Sequence, residues 1–83
     1  MIAVVFVESA FKYGYGEEDF FEVLELNPVK LRSTRGLKGV YELYGRNYAG
    51  EYLHIAHRRE ADRTVVFHIR EMSLREKRRY RHP

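Results

Sequence analysis

Three segments that alternate apolar and polar residues, 39–46, 51–58 and 63–70, follow one another with only four residues between neighbours, and no other feature restricts the fold as sharply. Period-two alternation marks strands packed on one face and wet on the other, and connections this short leave no room for a crossover. The three therefore form an antiparallel meander. Register stays open: pairing Arg58 with Arg63 puts Leu53 on the same face as His68, and a single bulge reverses that, which keeps His54 and His57 as alternates for the same role.

The other elements are placed around this meander. Met1-Ile2-Ala3-Val4-Val5-Phe6-Val7 is apolar, lacks the basic start and cleavage site of a signal peptide, is too short to span a bilayer, and reads as a strand. Tyr13-Gly14-Tyr15-Gly16 is a turn. From Glu17 to Leu26 early carboxylates precede Phe20, Phe21, Val23 and Leu24, which suits a helix and its dipole, and Asn27-Pro28 ends it. Ser73 and Glu76 have the spacing of a capping box, so a last helix starts near Leu74. The order strand, helix, three strands, helix gives an α+β domain: a small antiparallel sheet of about four strands with helices packed on it.

Eighty-three residues make one domain, residues 1–83, able to bury roughly 60–65% of its unfolded surface. With no cysteine there is no disulfide, thiolate nucleophile or Cys-based zinc site, and nothing points to an oxidising compartment, so a cytoplasmic protein without a membrane partner is expected. No Gly-x-Ser-x-Gly turn or phosphate-binding Gly-rich loop is present, and the clustered early acids read as one helix face rather than a glycosidase pair. His54 and His57 are three apart in a strand, point to opposite faces, and cannot share one ion without a bulge, so neither metal nor cofactor is expected.

Charge is segregated although its sum is small. Fifteen Lys and Arg against twelve Asp and Glu leave +3, but Glu17, Glu18, Asp19, Glu22 and Glu25 crowd one early segment while basic residues crowd the end. At about 100° per residue, Arg75, Arg78 and Arg79 share one face of the last helix, with Leu74, Tyr80 and the Lys77 stem on another. Such a face is either an ordinary solvated surface or a contact for nucleic acid or an acidic partner.

The residues Lys12-Tyr13-Gly14-Tyr15, the acidic–apolar run Glu17 to Leu24, Asn27-Pro28, Tyr44-Gly45-Arg46, Gly50-Glu51-Tyr52-Leu53 and the closing run Arg70 to Tyr80 together resemble the BrnT family, over about residues 11 to 81. BrnT proteins are toxins of bacterial type II toxin–antitoxin systems. The resemblance implies a RelE-like fold, a ribonuclease that arrests translation, and neutralisation by a cognate BrnA-like antitoxin, with a dimer within the complex as one arrangement. Where the family reads Lys-His-Gly, this chain has Lys12-Tyr13-Gly14. A Tyr still stacks on bases or bonds phosphate, so the alternative is a degenerate toxin, a module that binds nucleic acid or protein without catalysis.

Metal-free RNA cleavage needs the 2′-hydroxyl deprotonated, positive charge on the developing phosphorane, and a proton for the leaving 5′-oxygen. Arg70 matches the family's Arg at the end of the last strand and is the expected phosphate clamp. His68, two residues earlier and on the same face, is the candidate proton carrier, a His among apolar residues otherwise being a packed one. Arg46 matches the family's Gly-Arg and is a second phosphate contact. Tyr80 stacks on a base or donates a proton, or else packs the last helix onto the sheet beside Leu74. Arg75, Arg78, Arg79, Lys12 and Tyr13 are expected to bind RNA or the partner. Of seven tyrosines, Tyr41, Tyr44, Tyr48 and Tyr52 read mainly as half-buried sheet residues.

Overall fold

The computed structural model describes residues 3–33 and 38–81. Along the chain run β1 (Ala3–Phe6), a 3-10 turn (Glu8–Phe11), α1 (Glu17–Glu25), β2 (Val29–Arg32), β3 (Val40–Arg46), β4 (Tyr52–Arg59), β5 (Arg63–Glu71) and α2 (Leu74–Arg81). Met1 and Ile2 of the expected first strand lie outside the described residues. The architecture is α+β, with a five-stranded sheet in the order β1-β5-β4-β3-β2.

Two features correct the sequence reading. The sheet has five strands rather than four, and it is mixed rather than antiparallel: β1 runs parallel to β5, while the other neighbours are antiparallel. The extra strand is β2, whose Val29-Lys30-Leu31-Arg32 alternates over four residues only and is exposed at all four. So short an edge strand has little burial to shape its composition. The expected meander is present as β3-β4-β5.

One face of the sheet carries the core. Leu43, Leu53, Ile55, Val66 and Ile69 are buried against Phe20 and Val23 of α1 and Ala10 of the 3-10 turn. Each such aliphatic side chain contributes about 1.5–3 kcal/mol relative to staying exposed. Helix α1 starts where the Asp19 carboxylate accepts the Gly16 N–H at 2.9 Å and ends where Asn27 turns left-handed at φ 61° ahead of Pro28. Close seating of this segment on the sheet requires Gly45, because a Cβ there would lie 3.0 Å from Val23 Cγ1 and 3.2 Å from Pro28 Cβ.

The register contains the bulge that the sequence left open. Arg58 pairs with Val65 and His57 with Val66, but Ala56 then pairs with His68, leaving Phe67 as the extra residue on β5. Beyond it, Ile55 faces Ile69, His54 faces Arg70 and Leu53 faces Glu71. Directly opposed residues share a face, so the bulge turns His68 and Arg70 away from the core, onto the face of His54.

Candidate functional site

The face opposite the core is a polar grid. Across β3, β4 and β5 the first row is Glu42, Ala56 and His68; the second is Tyr44, His54 and Arg70; the third holds Arg46 and Tyr52. Met72 closes that row, its N–H donating to the Tyr52 carbonyl at 2.8 Å before the chain enters α2. Thus Arg70 and His68, expected on one face from their spacing, share it with Arg46, whose place there the sequence left open.

His54 is its floor. The residue is 6% exposed, its Nε2 lies 2.7 Å from Glu42 Oε1, and its Nδ1 is buried without a partner among the described residues. The Tyr44 hydroxyl donates to the same Glu42 oxygen at 3.2 Å. Burial lowers the His54 pKa, opposed by the Glu42 hydrogen bond. Burial and the Glu42 charge push Tyr44 up to about 12, so its proton stays on. A carboxylate accepting from both neighbours fixes the Nε2–H tautomer of His54 when that ring is neutral.

His68 is the accessible imidazole. It is half-buried, its ring centroid lies 5.7 Å from that of His54, and no hydrogen bond holds it among the described residues. Burial lowers its pKa, and His54, Arg70 and Lys12 add to the effect. Tyr13 reaches this corner because the chain, on leaving β1, follows the edge of β5 as a 3-10 turn, with Ser9 Oγ donating to the Phe67 carbonyl at 2.9 Å. Gly14, at φ +88°, supports the turn that follows, and the Tyr13 ring stands edge-on to His68 at 5.6 Å. Lys12 Nζ lies 5.7 Å from the Tyr13 ring centroid.

Arg70 is not free. Its Nη1 and Nη2 donate to Glu76 Oε1 and Oε2 at 2.7 and 2.8 Å, and Nη1 also donates to the Glu71 carbonyl at 3.0 Å. Glu76 is at the same time the capping-box residue of α2: its Oε1 accepts the Ser73 N–H at 2.8 Å, and its own N–H donates to Ser73 Oγ at 3.2 Å. The Arg70 hydrogen bonds hold the Glu76 carboxyl down at about 2. The expected capping box is therefore present with a second function.

Arg46 is exposed, with its guanidinium 5.7 Å from the centre of the Tyr52 ring, which meets Tyr80 edge-on at 5.8 Å. Tyr80 thus packs α2 onto the sheet through Tyr52. Leu74, expected beside it, is instead 68% exposed. Arg75, Arg78 and Arg79 are exposed on α2, while Lys77 bonds Glu71 at 3.0 Å.

Two further expectations change. Tyr48 is exposed in the turn after β3, where its hydroxyl bonds Glu25 and its N–H donates to Glu22 at 2.8 Å; it is not a half-buried sheet residue. His57 lies on the core face, stacked on Tyr41 at 5.7 Å and edge-on to Phe20 at 6.4 Å, and burial drives its pKa down to about 4. It is a neutral core residue, on the opposite face from His54. No group of three His, Asp or Glu suited to a metal occurs among the described residues.

Sequence reasoning missed Glu42 and Tyr44, and the grip of Glu76 on Arg70. Glu42 and Tyr44 are two apart and so share a face, but only the pairing of β3 with β4 brings them to His54. No helix among the described residues is long and apolar enough to cross a membrane. Comparison with protein-family models, curated proteins and solved structures returns no match.

Proposed function

We propose that this chain is a cytoplasmic, metal-independent endoribonuclease toxin of the BrnT type, RelE-like in fold, neutralised by a BrnA-like antitoxin. The observation that carries the reading is the juxtaposition on one sheet face of a half-buried imidazole without a hydrogen-bond partner among the described residues, His68, and a guanidinium in bidentate contact with a carboxylate, Arg70. A guanidinium that grips a carboxylate end-on presents the same pair of donors to two phosphate oxygens.

The roles follow from position. Neutral near pH 7, His68 takes the proton of the 2′-hydroxyl as that oxygen attacks the adjacent phosphorus. Arg70, with Arg46 along the same face, stabilises the charge on the phosphorane. The leaving 5′-oxygen takes its proton from Tyr13 beside His68 or from water, and a 2′,3′-cyclic phosphate remains. Lys12 and the exposed Arg75, Arg78 and Arg79 add sequence-independent attraction for the backbone.

A second reading has its own support. Tyr13 stands where the family has His, and the ring beside it, His68, has no carboxylate to orient it among the described residues. These features favour a binding module without catalysis.

Incubating purified protein with RNA in EDTA, beside Arg70→Ala and His68→Asn variants, separates the two. Cleavage leaving cyclic or 3′-phosphate ends, reduced at least about 100-fold in each variant, is the result expected of the nuclease. RNA that stays intact while binding weakens in Arg70→Ala identifies the binding module.

A further inference from the structure

We infer that Glu76 is a built-in competitor for phosphate at Arg70, so that filling the anion site and loosening the start of α2 are one event. The inference rests on the reading of Arg70 as a phosphate-binding residue and adds a regulator of that site. Both ends of the Arg70 guanidinium are engaged by Glu76, and the Glu71 carbonyl takes a further N–H of Nη1. With its charge neutralised by a carboxylate under 3 Å away, Arg70 attracts a phosphodiester weakly, and that carboxylate repels one. A phosphate that takes the end-on position must displace Glu76.

Displacement has a structural cost, because the same Oε1 that receives Arg70 receives the Ser73 N–H. When Glu76 swings away, the Ser73 amide loses its acceptor and α2 loses half of its capping box. Binding at Arg70 and order at the α2 start are thereby linked, and linkage is reciprocal: whatever fixes the first turn of α2 holds the anion site shut, and whatever unwinds it opens the site. Arg75, Arg78 and Arg79 follow in that helix, so opening also repositions three more cations.

Glu76→Gln separates charge from shape. A Gln preserves the S-x-x-E/Q cap and a single bond to Arg70 while removing the competing charge. Ser73→Ala does the converse: it removes the hydroxyl that accepts the Glu76 N–H and leaves the ion pair intact. Binding is measured by fluorescence anisotropy with a 2′-O-methyl oligoribonucleotide, which cannot be cleaved, at fixed salt. Amide hydrogen exchange across Ser73 to Lys77 is recorded with and without it.

Glu76→Gln is expected to tighten binding about tenfold and Ser73→Ala, which loosens the helix start but keeps the competing charge, to tighten it about threefold, with both gains absent when either is combined with Arg70→Ala. Oligonucleotide binding to the unmodified protein is expected to speed exchange at the Ser73 amide. If Glu76→Gln binds no more tightly while Arg70→Ala binds more weakly, Glu76 is no competitor, and the phosphate reading stands without it. Tighter binding of Glu76→Gln with unchanged exchange overturns the coupling to α2. Binding that is indifferent to Arg70→Ala overturns both this inference and the phosphate reading.

Discussion

His57 makes acid stability a test of the fold's least ordinary core residue. The residue is 6% exposed, its ring stacked on Tyr41 and edge-on to Phe20, with Nδ1 lacking a partner among the described residues. Burial chiefly, and the positive charges of Lys30 and Arg59, lower its pKa from 6.5 to about 4. The unfolded chain then binds this proton more tightly than the folded one does. Stability from the neutral ring is complete above pH 6.5, falls as pH drops, and is exhausted below about 4. Between pH 7 and pH 5 the loss is about 2 kcal/mol. Urea unfolding followed by far-ultraviolet circular dichroism reads this directly: at a slope of about 1 kcal/mol per molar urea, the midpoint falls by about 2 M. His54 and His68 are also depressed and add to the wild-type loss, so the decisive quantity is the difference from His57→Phe. Phe keeps an aromatic ring against Tyr41 and removes an unsatisfied buried nitrogen, so at pH 7 the variant is expected within about 1 kcal/mol of wild type. An equal drop between pH 7 and 5 in both proteins would refute a buried neutral His57.

Two structural predictions use the same measurement at neutral pH. Gly45→Ala places a Cβ against Val23 and Pro28 at distances that both must yield to, and should cost about 1–3 kcal/mol in urea unfolding. Asn47 is 3% exposed, donates from Nδ2 to Asp19 and Glu51 at 2.9 Å each, and accepts the Glu51 N–H at Oδ1. It ties the β3–β4 turn to the start of α1, and Asn47→Ala strands these partners. A loss of about 2–3 kcal/mol is expected, with Asn47→Asp recovering less than half because its charge meets two carboxylates.

The legible parts of the fold are those whose pattern is set locally. The β3-β4-β5 meander follows from alternation and four-residue connections, α1 from its acidic first turn and the Asn27-Pro28 stop, and α2 from Ser73 and Glu76. Hidden parts depend on distant partners. Nothing in Ala3-Val4-Val5-Phe6 tells whether it will run parallel or antiparallel to its neighbour, since β1 joins a strand far along the chain, with Ala3 opposite Arg63. Strand β2 alternates faintly over four exposed positions, a pattern shared with many loops. Tyr48 sits among strand-like aromatics, yet Ala49-Gly50 makes its surroundings a turn, with Gly50 at φ +83°.

The candidate site shows the same division more sharply, because one residue decides it. Parity along a strand places His68 with Arg70, and Glu42 with Tyr44, from sequence alone. Which face of the sheet each pair takes is a property of register. If the pairing of Arg58 with Val65 continued without interruption, His68 would stand opposite Ile55 and Arg70 opposite Leu53. Both polar side chains would then enter the core face, where Leu53 and Ile55 are fully buried. An unpaired Arg cannot be held there, since the desolvation of its charge exceeds what the aliphatic neighbours supply. The extra residue, Phe67, resolves this conflict by turning the end of β5 over after Val66, so that Ile69 fills the core and His68 and Arg70 join His54. The burial pattern already contains the reason. Val65 and Val66 are consecutive buried residues, and Ile69 is the next, a three-residue step that strict alternation cannot make. In a strand that step requires a bulge, which the sequence conceals because Val65, Phe67 and Ile69 alternate without a break; only pairing with β4 selects Val66 for the core and so assembles the site.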